Sequence, residues 1–360
     1  MIFKCLIGYT KQHHIKDNKY CQTIHFGTMI ISVIIVAHDR REFLVEAISS
    51  ILRQKIDREK YEIVVVKNFK DEKIDSFIDD INATNVFTME EKLGSKLKIG
   101  IEASKGDVLA FLEDDDIFLE GKLTFLNNKF EDREFGFIHN DYLRINAIRE
   151  KIGLSNSKKM RSPIDLHMMN NINSFLRNAI KAEGFFNLSC ISVRKSLISQ
   201  EILDSLIGIQ IAADNFMFYI SCDSNMRVLI TNEVYTGYRI HDNNASLHLD
   251  SDLPKFIEKK IEFLKSNIFG YDQIEKLINN TEIKLFLISR RQMSYLAYNI
   301  LSRKSPNTLY KVSFREFFSA YYCTRSWELF ALFFMNKVSI IFPDPVKHMY
   351  SLYERMKFRY

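Results

Sequence analysis

Residues Ile30–Ala37 read IISVIIVA, eight positions without a charge and with Ser32 as the single polar interruption. A strand with one wet face alternates polar and apolar residues, whereas an unbroken β-branched run is what a parallel strand covered on both faces requires. A central strand is therefore expected here. Outward from it, Phe43, Ala47, Ile48, Ile51 and Leu52 recur at helical spacing, and Tyr61–Val66 (YEIVVV) is a second buried strand, which completes a βαβ unit. A helix over Ile74–Ile81, a short strand near Asn85–Thr88, a helix over Leu97–Ala103 ended at Gly106, and the strand Asp107–Leu112 (DVLAFL) continue the alternation. Such alternation implies an α/β doubly wound, mostly parallel sheet, whose ligands bind beyond the carboxyl ends of the strands. Asp39 and the run Asp114-Asp115-Asp116 both lie at such ends.

Further along, strands are expected at Phe135–Asn140 and Leu188–Val193, flanking a polar stretch from Arg149 to Asn178 that reads as a mobile substrate loop. From about Asp252 the pattern becomes helical. The expected organisation is thus an N-terminal extension at 1–28, an α/β domain at 29–250 and a helical, basic and aromatic region at 251–360. The first 28 residues lack an unbroken apolar core of the secretory-signal type, and Met29 opens a strand at once. Met29 is accordingly read as the natural start, with the preceding segment an upstream extension or a poorly ordered arm.

Composition excludes several classes. A chain of 360 residues, 46% hydrophobic and 26% charged, is globular and large enough for one broad core with an appendage. Its 5 cysteines show neither a CxxC pair nor a regular framework, which reads as reduced thiols in a cytosolic protein. Residues 251–360 hold 18 Lys and Arg against 10 acidic residues, a net +8, which leaves −3 of the overall +5 for the rest. Attraction to anionic lipid headgroups accounts for that asymmetry better than nucleic acid, because the same tail is rich in aromatics. No stretch reaches the roughly 20 apolar residues of a spanning helix, since Trp327–Phe342 is interrupted by Glu328, Asn336 and Lys337.

In FLEDDD, four carboxylates crowd where a buried strand emerges, and their mutual repulsion is costly without a cation. Hard oxygen donors suit Mn²⁺ or Mg²⁺, held by one or two carboxylates together with substrate phosphates. Taken alone, three aspartates read more readily as a solvated acidic turn capping a helix that begins near Gly121. Their company decides, because the chain resembles the family 2 glycosyltransferases. The resemblance is carried by ISVIIVAHDRREFLVEAISSILRQ (Ile31–Gln54), EIVVV (Glu62–Val66) and ASKGDVLAFLEDDD (Ala103–Asp116), in that order and spacing. It implies the Rossmann-like GT-A fold and transfer of a sugar from a nucleoside-diphosphate sugar to a hydroxyl of a glycan or lipid-linked acceptor.

Carried over by position, the resemblance implies that Asp114 faces the ribose and Asp116 binds the metal, with Asp115 a bystander. Val36, Ala37 and His38 take the place of the nucleobase-cradling loop, with Asp39 and Arg40 in register. Where the family commonly reads Asp-Asp-Gly-Ser after its second strand, this chain has Lys67-Asn68-Phe69-Lys70, so Asn68 would meet the base edge and Lys67 a phosphate. Lys98 would likewise contact phosphate. Asp214, in IAADNFMFYIS, stands where the family has its base before a helix. Without the resemblance it reads as an N-cap or first-turn aspartate of a helix over Asn215–Ile220, which needs no chemistry. In YRIHDNNAS the resemblance implies that His241 approaches the diphosphate or metal and that Arg239 pairs with phosphate, and Arg194 is expected near the acceptor wall.

Two other readings are weaker on the residues. A catalytically idle scaffold that binds nucleotide or glycan would tolerate Lys67 and Asn68, and a nucleotidyltransferase would carry a Gly-rich phosphate loop that His38–Arg41 lacks. In the tail, Phe317, Phe318, Tyr321, Tyr322, Trp327, Phe330, Phe333 and Phe334 suit either an interfacial helix at 315–342 on the inner face of the cell membrane, or aromatics packed internally or in a homodimer interface.

Overall fold

The computed structural model describes residues 29–155, 162–169, 171–241, 244, 252–302 and 309–357. The expected extension at 1–28 lies outside the described residues. In chain order the first half comprises β1 (Ile31–Ala37), α1 (Leu44–Leu52), β2 (Tyr61–Lys67), α2 (Glu72–Asp80), β3 (Thr84–Phe87), α3 (Leu93–Ala103), β4 (Val108–Glu113), β5 (Ile117–Phe118) and α4 (Lys122–Phe130). There follow β6 (Phe135–Ile145), β7 (Lys151–Leu154), β8 (Ile164–Asp165), α5 (Ile172–Lys181), β9 (Ile191–Arg194), α6 (Gln200–Ser205), α7 (Ala213–Cys222) and β10 (Arg227–Arg239). Helices α8 (Leu253–Leu277), α9 (Thr281–Ser302), α10 (Phe314–Thr324), α11 (Trp327–Val338) and α12 (Pro343–Lys357) complete the described chain.

The sheet runs β3-β2-β1-β4-β9-β6-β10-β5, with β7 added on β6 and β8 on β10. Strands β1, β2, β3 and β4 pair in parallel, as do β6 and β10, while β9 is antiparallel to both β4 and β6. Because β9 reverses between them, β4 and β6 point the same way, and the major strands all present their carboxyl ends to one edge. The mostly parallel, doubly wound sheet expected from the apolar runs is what the chain forms.

Side-chain alternation sorts the core into two layers. Ile31, Val33 and Ile35 pack with Leu44, Ile48 and Ile51 of α1, Ile74 and Ile78 of α2, and Leu123 and Leu126 of α4. Ile34 faces the opposite layer, with Leu97 and Ile101 of α3, Phe216 and Phe218 of α7, and Tyr271 and Phe286 of α8 and α9. Helix α3 approaches this face closely at Gly100, where an added Cβ would lie 2.6 Å from Cγ2 of Ile34.

Several boundaries differ from expectation for local reasons. Helix α3 starts at Leu93, and residues 188–190 form a 3-10 turn before β9. The polar stretch 149–178, expected as one loop, contains β7, β8 and the start of α5, which Asn171 caps through its Oδ1 to the N–H groups of Asn173 (2.8 Å) and Ser174 (3.3 Å). Residues 156–161 and 170 of that stretch lie outside the described ones. The helical region opens at α8, yet α8 and α9 extend the core of the sheet through Tyr271, Ile274, Ile283 and Phe286. A separate cluster of Leu296, Ile300, Phe317, Leu329, Leu332 and Tyr350 joins α9 to α12.

Candidate active site

The site forms where the carboxyl ends of β1, β2 and β4 meet the start of α7. After β1 the chain turns through Asp39, a non-glycine residue at φ +52°. Its N–H donates to Oδ1 of Asn68 (2.9 Å), and Nδ2 of Asn68 donates back to Oδ1 of Asp39 (3.0 Å), lacing together the loops that follow β1 and β2. The His38 N–H donates to Asp114 (3.2 Å), and the Arg40 guanidinium bridges Asp114 and Asp115, reaching the latter at 2.6 Å. Val36 and Ala37 end β1, and the Ala37 carbonyl accepts from Nζ of Lys96 (3.2 Å).

Along β4, Leu109 and Phe111 face the layer that contains α7. Carrying that alternation past the strand end brings Glu113 and Asp115, not Asp114 and Asp116, to a cavity of about 290 Å³, which Arg40, Asn187 and Asp214 also line. Asp115 is therefore no bystander. Its Oδ2 accepts from Arg40 and lies 3.0 Å from Nε2 of His241, whose ring rests on Phe43. Asp116, expected to be the metal ligand, is fully buried. Its Oδ1 takes the Arg239 N–H (2.8 Å), its Oδ2 takes Nδ2 of Asn187 (2.8 Å), and the Ser189 hydroxyl also bonds to it. Asp114 is similarly engaged by His38 and Arg40 and does not line the cavity.

Crowding sets the electrostatics. Burial, then the charge of Asp115, pushes Asp114 and Asp116 up to about 7. Glu113 is pushed well above the usual carboxylate range by burial and by the charges of Asp115, Asp116 and Asp214. Burial pushes Asp115 the same way, but the bond from His241 and the charge of Arg40 outweigh it and hold its carboxyl below the usual range. Asp115 is thus the anion of the cluster. Beneath it, Lys122 is wholly buried, donates to the Ser189 carbonyl (2.6 Å), and is pushed down to about 7 by desolvation.

Asp214 stands in the first turn of α7, after a kink in which Ala212 adopts φ +73°. Of the two chemistry-free alternatives the first-turn placement holds and the N-cap does not, because Ala212 takes the cap position and Oδ1 of Asp214 accepts from the N–H (2.7 Å) and Nδ2 (3.0 Å) of Asn215. The Asn187 N–H also bonds to it, and burial raises its carboxyl above the ordinary range. Asn187, itself at φ +67°, therefore links Asp116 and Asp214. Asn187 and Ala212 are two non-glycine residues at positive φ lining one cavity, and such strain persists only where the surroundings over-determine it.

Four expected contacts are not made, because each cation finds a partner elsewhere. Lys67 is buried, pairs with Asp75 (2.6 Å) and donates to the Phe69 carbonyl (3.0 Å), so it does not reach a phosphate site. Lys98 points away on α3 to Asp204 and Glu102. Arg239 is fully buried: it donates to the carbonyls of Asp115 (2.6 Å) and Ala147 (2.7 Å), pairs with Glu46 (2.9 Å), and stacks on Phe43. Arg194 lies at the other end of the sheet, since antiparallel β9 sets it beside Val108 at the start of β4, where it bonds to the carbonyls of Phe130 and Phe135.

Sequence reading missed Glu113, Lys96, Asn187 and Arg290. Strand alternation was a usable signal for Glu113. Lys96 is wholly buried, with Nζ 2.6 Å from Nδ1 of His38, and its neighbour Lys98 carried no mark to separate them.

The fold implies a divalent cation, and the donor set can be tested against one. Among the described residues no group of three or more His, Cys, Asp or Glu is arranged to enclose a metal. An ion completed by substrate phosphates needs fewer protein ligands. The carboxyl groups of Glu113 and Asp115, with the His241 ring beside Asp115, supply donors of the kind such an ion takes.

The fold is that of a GT-A scaffold. Residues 32–204 match the family described as Glycosyl transferase family 2. An uncharacterized glycosyltransferase of Rickettsia bellii (strain RML369-C) is 31% identical over 119 residues, 32% of this chain and 17% of the relative. One from Rickettsia conorii (strain ATCC VR-613 / Malish 7) is 28% identical over 127 residues, 32% of this chain and 20% of the relative. The matches thus span a fifth or less of those relatives. Among solved structures, S. aureus TarS superposes with a TM-score of 0.52 at 14% identity, covering 84% of this chain and 50% of that one. S. aureus TarS 1–349 in complex with UDP-GlcNAc gives a TM-score of 0.50 at 11% identity, covering 83% and 91%. At such identities the likeness speaks for the fold.

Proposed function

We propose that this chain is a nucleotide-sugar glycosyltransferase that works by inversion with the help of Mn²⁺ or Mg²⁺, adding a sugar to a hydroxyl of a glycan or lipid-linked acceptor. The observation that carries the reading is that Asp214 lines one cavity with Glu113 and Asp115, near enough for its charge to act on Glu113. A uridine diphosphate sugar is the donor to try first, because a solved structure of like fold, 91% of which this chain covers, holds UDP-GlcNAc.

Asp115 and His241 would hold the metal, with Glu113 facing it, and the ion would supply Lewis-acid neutralisation of the diphosphate leaving group. The other roles belong to side chains. Asp214 accepts the acceptor hydroxyl proton as the new C–O bond forms at the anomeric carbon and the bond from that carbon to the diphosphate oxygen breaks. A carboxyl whose pKa is raised by burial is a stronger base than an ordinary aspartate once ionised, which suits it to that step. The Asp39–Asn68 pair and the Lys96–His38 contact brace the loops at the nucleotide end.

The tail supports a peripheral lipid contact. Phe317, Leu329 and Leu332 pack inside, so the alternative of internal packing holds for them. Phe314, Phe318, Tyr322, Trp327 and Phe334 remain exposed beside Arg315 and Lys337. No described helix is long and apolar enough to cross a membrane.

The deciding experiment is a thermal-shift screen of nucleoside diphosphates and sugar nucleotides with and without Mn²⁺, followed by an assay for diphosphate release. Stabilisation by one nucleotide with turnover supports the enzyme. Stabilisation without turnover under any acceptor indicates the idle scaffold, and no stabilisation at all removes the donor site.

A further inference from the structure

The cavity that holds Asp214 is closed on its far side by the C-terminal helices, which contribute Phe263, Asn267 and Tyr271 from α8 and Arg290 from α9. Arg290 is a cation in an aromatic setting. Its guanidinium lies 5.5 Å from the Phe185 ring and bonds to Tyr271, and its Nε is buried without a hydrogen-bond partner. Asp214 and Glu328 feel its charge, but neither forms an ion pair with it among the described residues. A buried N–H of a guanidinium left unmade is expensive, more so than for a neutral group, and such orphans call for an explanation.

Position separates this cation from the nucleotide end. The charge of Arg40 acts on Glu113, Asp114 and Asp115, whereas that of Arg290 acts on Asp214. Both cations line one cavity, Arg40 paired with Asp114 and Asp115 at the acidic loop and Arg290 near enough to Asp214 for its charge to be felt there.

We propose that Arg290, with Tyr271 and Asn267 beside it, forms a subsite for an anionic group on the acceptor, a phosphate or a carboxylate, and so selects acceptors that carry negative charge near the hydroxyl receiving the sugar. A guanidinium presents a planar fork that matches either oxyanion. The two sources differ in geometry and charge, and binding separates them. The assignment to the acceptor rests on the glycosyl-transfer reading of Asp214, while the anion site itself does not.

The test uses the full chain and isothermal titration with glycerol 3-phosphate, glucuronate and, as a neutral control, glycerol, each in the presence of saturating UDP and Mn²⁺. One of the two anions is expected to bind while UDP remains bound, and its identity tells phosphate from carboxylate. Arg290→Gln should weaken that binding roughly tenfold or more, the scale of one charge-assisted hydrogen bond, with Arg290→Lys falling between and the UDP affinity unchanged in both. Equal anion binding by Arg290→Gln, no preference of the wild-type chain for either anion over glycerol, or displacement of the anion by UDP each overturns the proposal. If Arg290→Gln does not fold, the wild-type titration and its competition with UDP still decide. Failure of UDP to bind, with the anion response intact, would sink the donor reading and leave the anion site standing.

Discussion

Replacing Asp115 and Asp116 separately by asparagine should produce opposite defects. Asp116 accepts two hydrogen bonds of 2.8 Å from Arg239 and Asn187 and is fully buried. Asparagine keeps one acceptor oxygen and turns its amide toward a donor, so about one charge-assisted bond is lost, roughly 1.5–3 kcal/mol, and one donor is left unmet. Relief of repulsion from Asp115, which raises the pKa of Asp116, offsets part of this. A net loss of about 2 kcal/mol lowers the melting temperature by roughly 4–8 °C for a domain of this size. In Asp115→Asn, Arg40 keeps Asp114, and Glu113, Asp114 and Asp116 all lose a repulsive neighbour, so the ligand-free protein should melt within about 2 °C of wild type. What Asp115→Asn should lose is the response to ligand. Saturation at 100 times the Kd is worth about 2.7 kcal/mol, and most of the stabilisation by UDP with Mn²⁺ should vanish. Scanning fluorimetry at pH 7.5 on both variants, with and without UDP and Mn²⁺, makes the comparison. A full ligand shift in Asp115→Asn, or a ligand-free Asp116→Asn as stable as wild type, would refute the assignment of the two carboxylates.

Three further outcomes are expected. Asp214→Asn should bind UDP with wild-type affinity yet lose transfer, and the acid limb of the wild-type rate profile should fall at a pH above the roughly 3.9 of an ordinary aspartate, as read from initial rates between pH 4 and 9. Asp114 and Asp116 hold protons more tightly folded than unfolded, so ligand-free stability should decline as pH rises from about 4 to 7, opposed in part by His139, which burial pushes down to about 4. Above pH 7 the depressed Lys122 reverses the slope, placing a shallow minimum near neutrality in urea unfolding curves; a steady rise from pH 4 to 8 would contradict this. Finally, Lys98→Ala should leave UDP affinity within about twofold by calorimetry, because Lys98 is committed to Asp204 and Glu102, whereas Lys96→Met should weaken it by releasing His38.

The fold was legible because its central strands are covered on both faces and so appear as uninterrupted apolar runs. Strand β10 escaped notice for the opposite reason: RVLITNEVYTGYR mixes polar and apolar residues, and irregular pairing with β6 breaks its alternation. The reversal of β9 was also hidden, since direction is decided by the partner and not by the strand itself, and it carried Arg194 to the wrong end for an acceptor contact. In the site, the expected Asp214 and the acidic run do meet at one cavity, but Glu113 and Asp115 line it in place of the expected Asp114 and Asp116. A strand periodicity of two, continued from Phe111, separates Glu113 and Asp115 from Asp114 and Asp116. Charge type alone misled at Lys67 and Arg239, both of which meet internal carboxylates once buried. Arg290 could not be anticipated, because its helix lies far along the chain and shares no local pattern with the strands it joins.

Arg239 bears on how a donor would arrive. Its guanidinium fastens the Asp115 carbonyl, the turn at Asn146 and Ala147, and Glu46 on α1, so the acidic loop is clamped from three sides. The conformational entropy of that segment was surrendered when the chain folded and is not demanded again at encounter. Reception of a diphosphate at this loop then calls for rotation of the partly exposed Arg40 side chain, a movement of nanoseconds, with no slow ordering of backbone at the acidic residues.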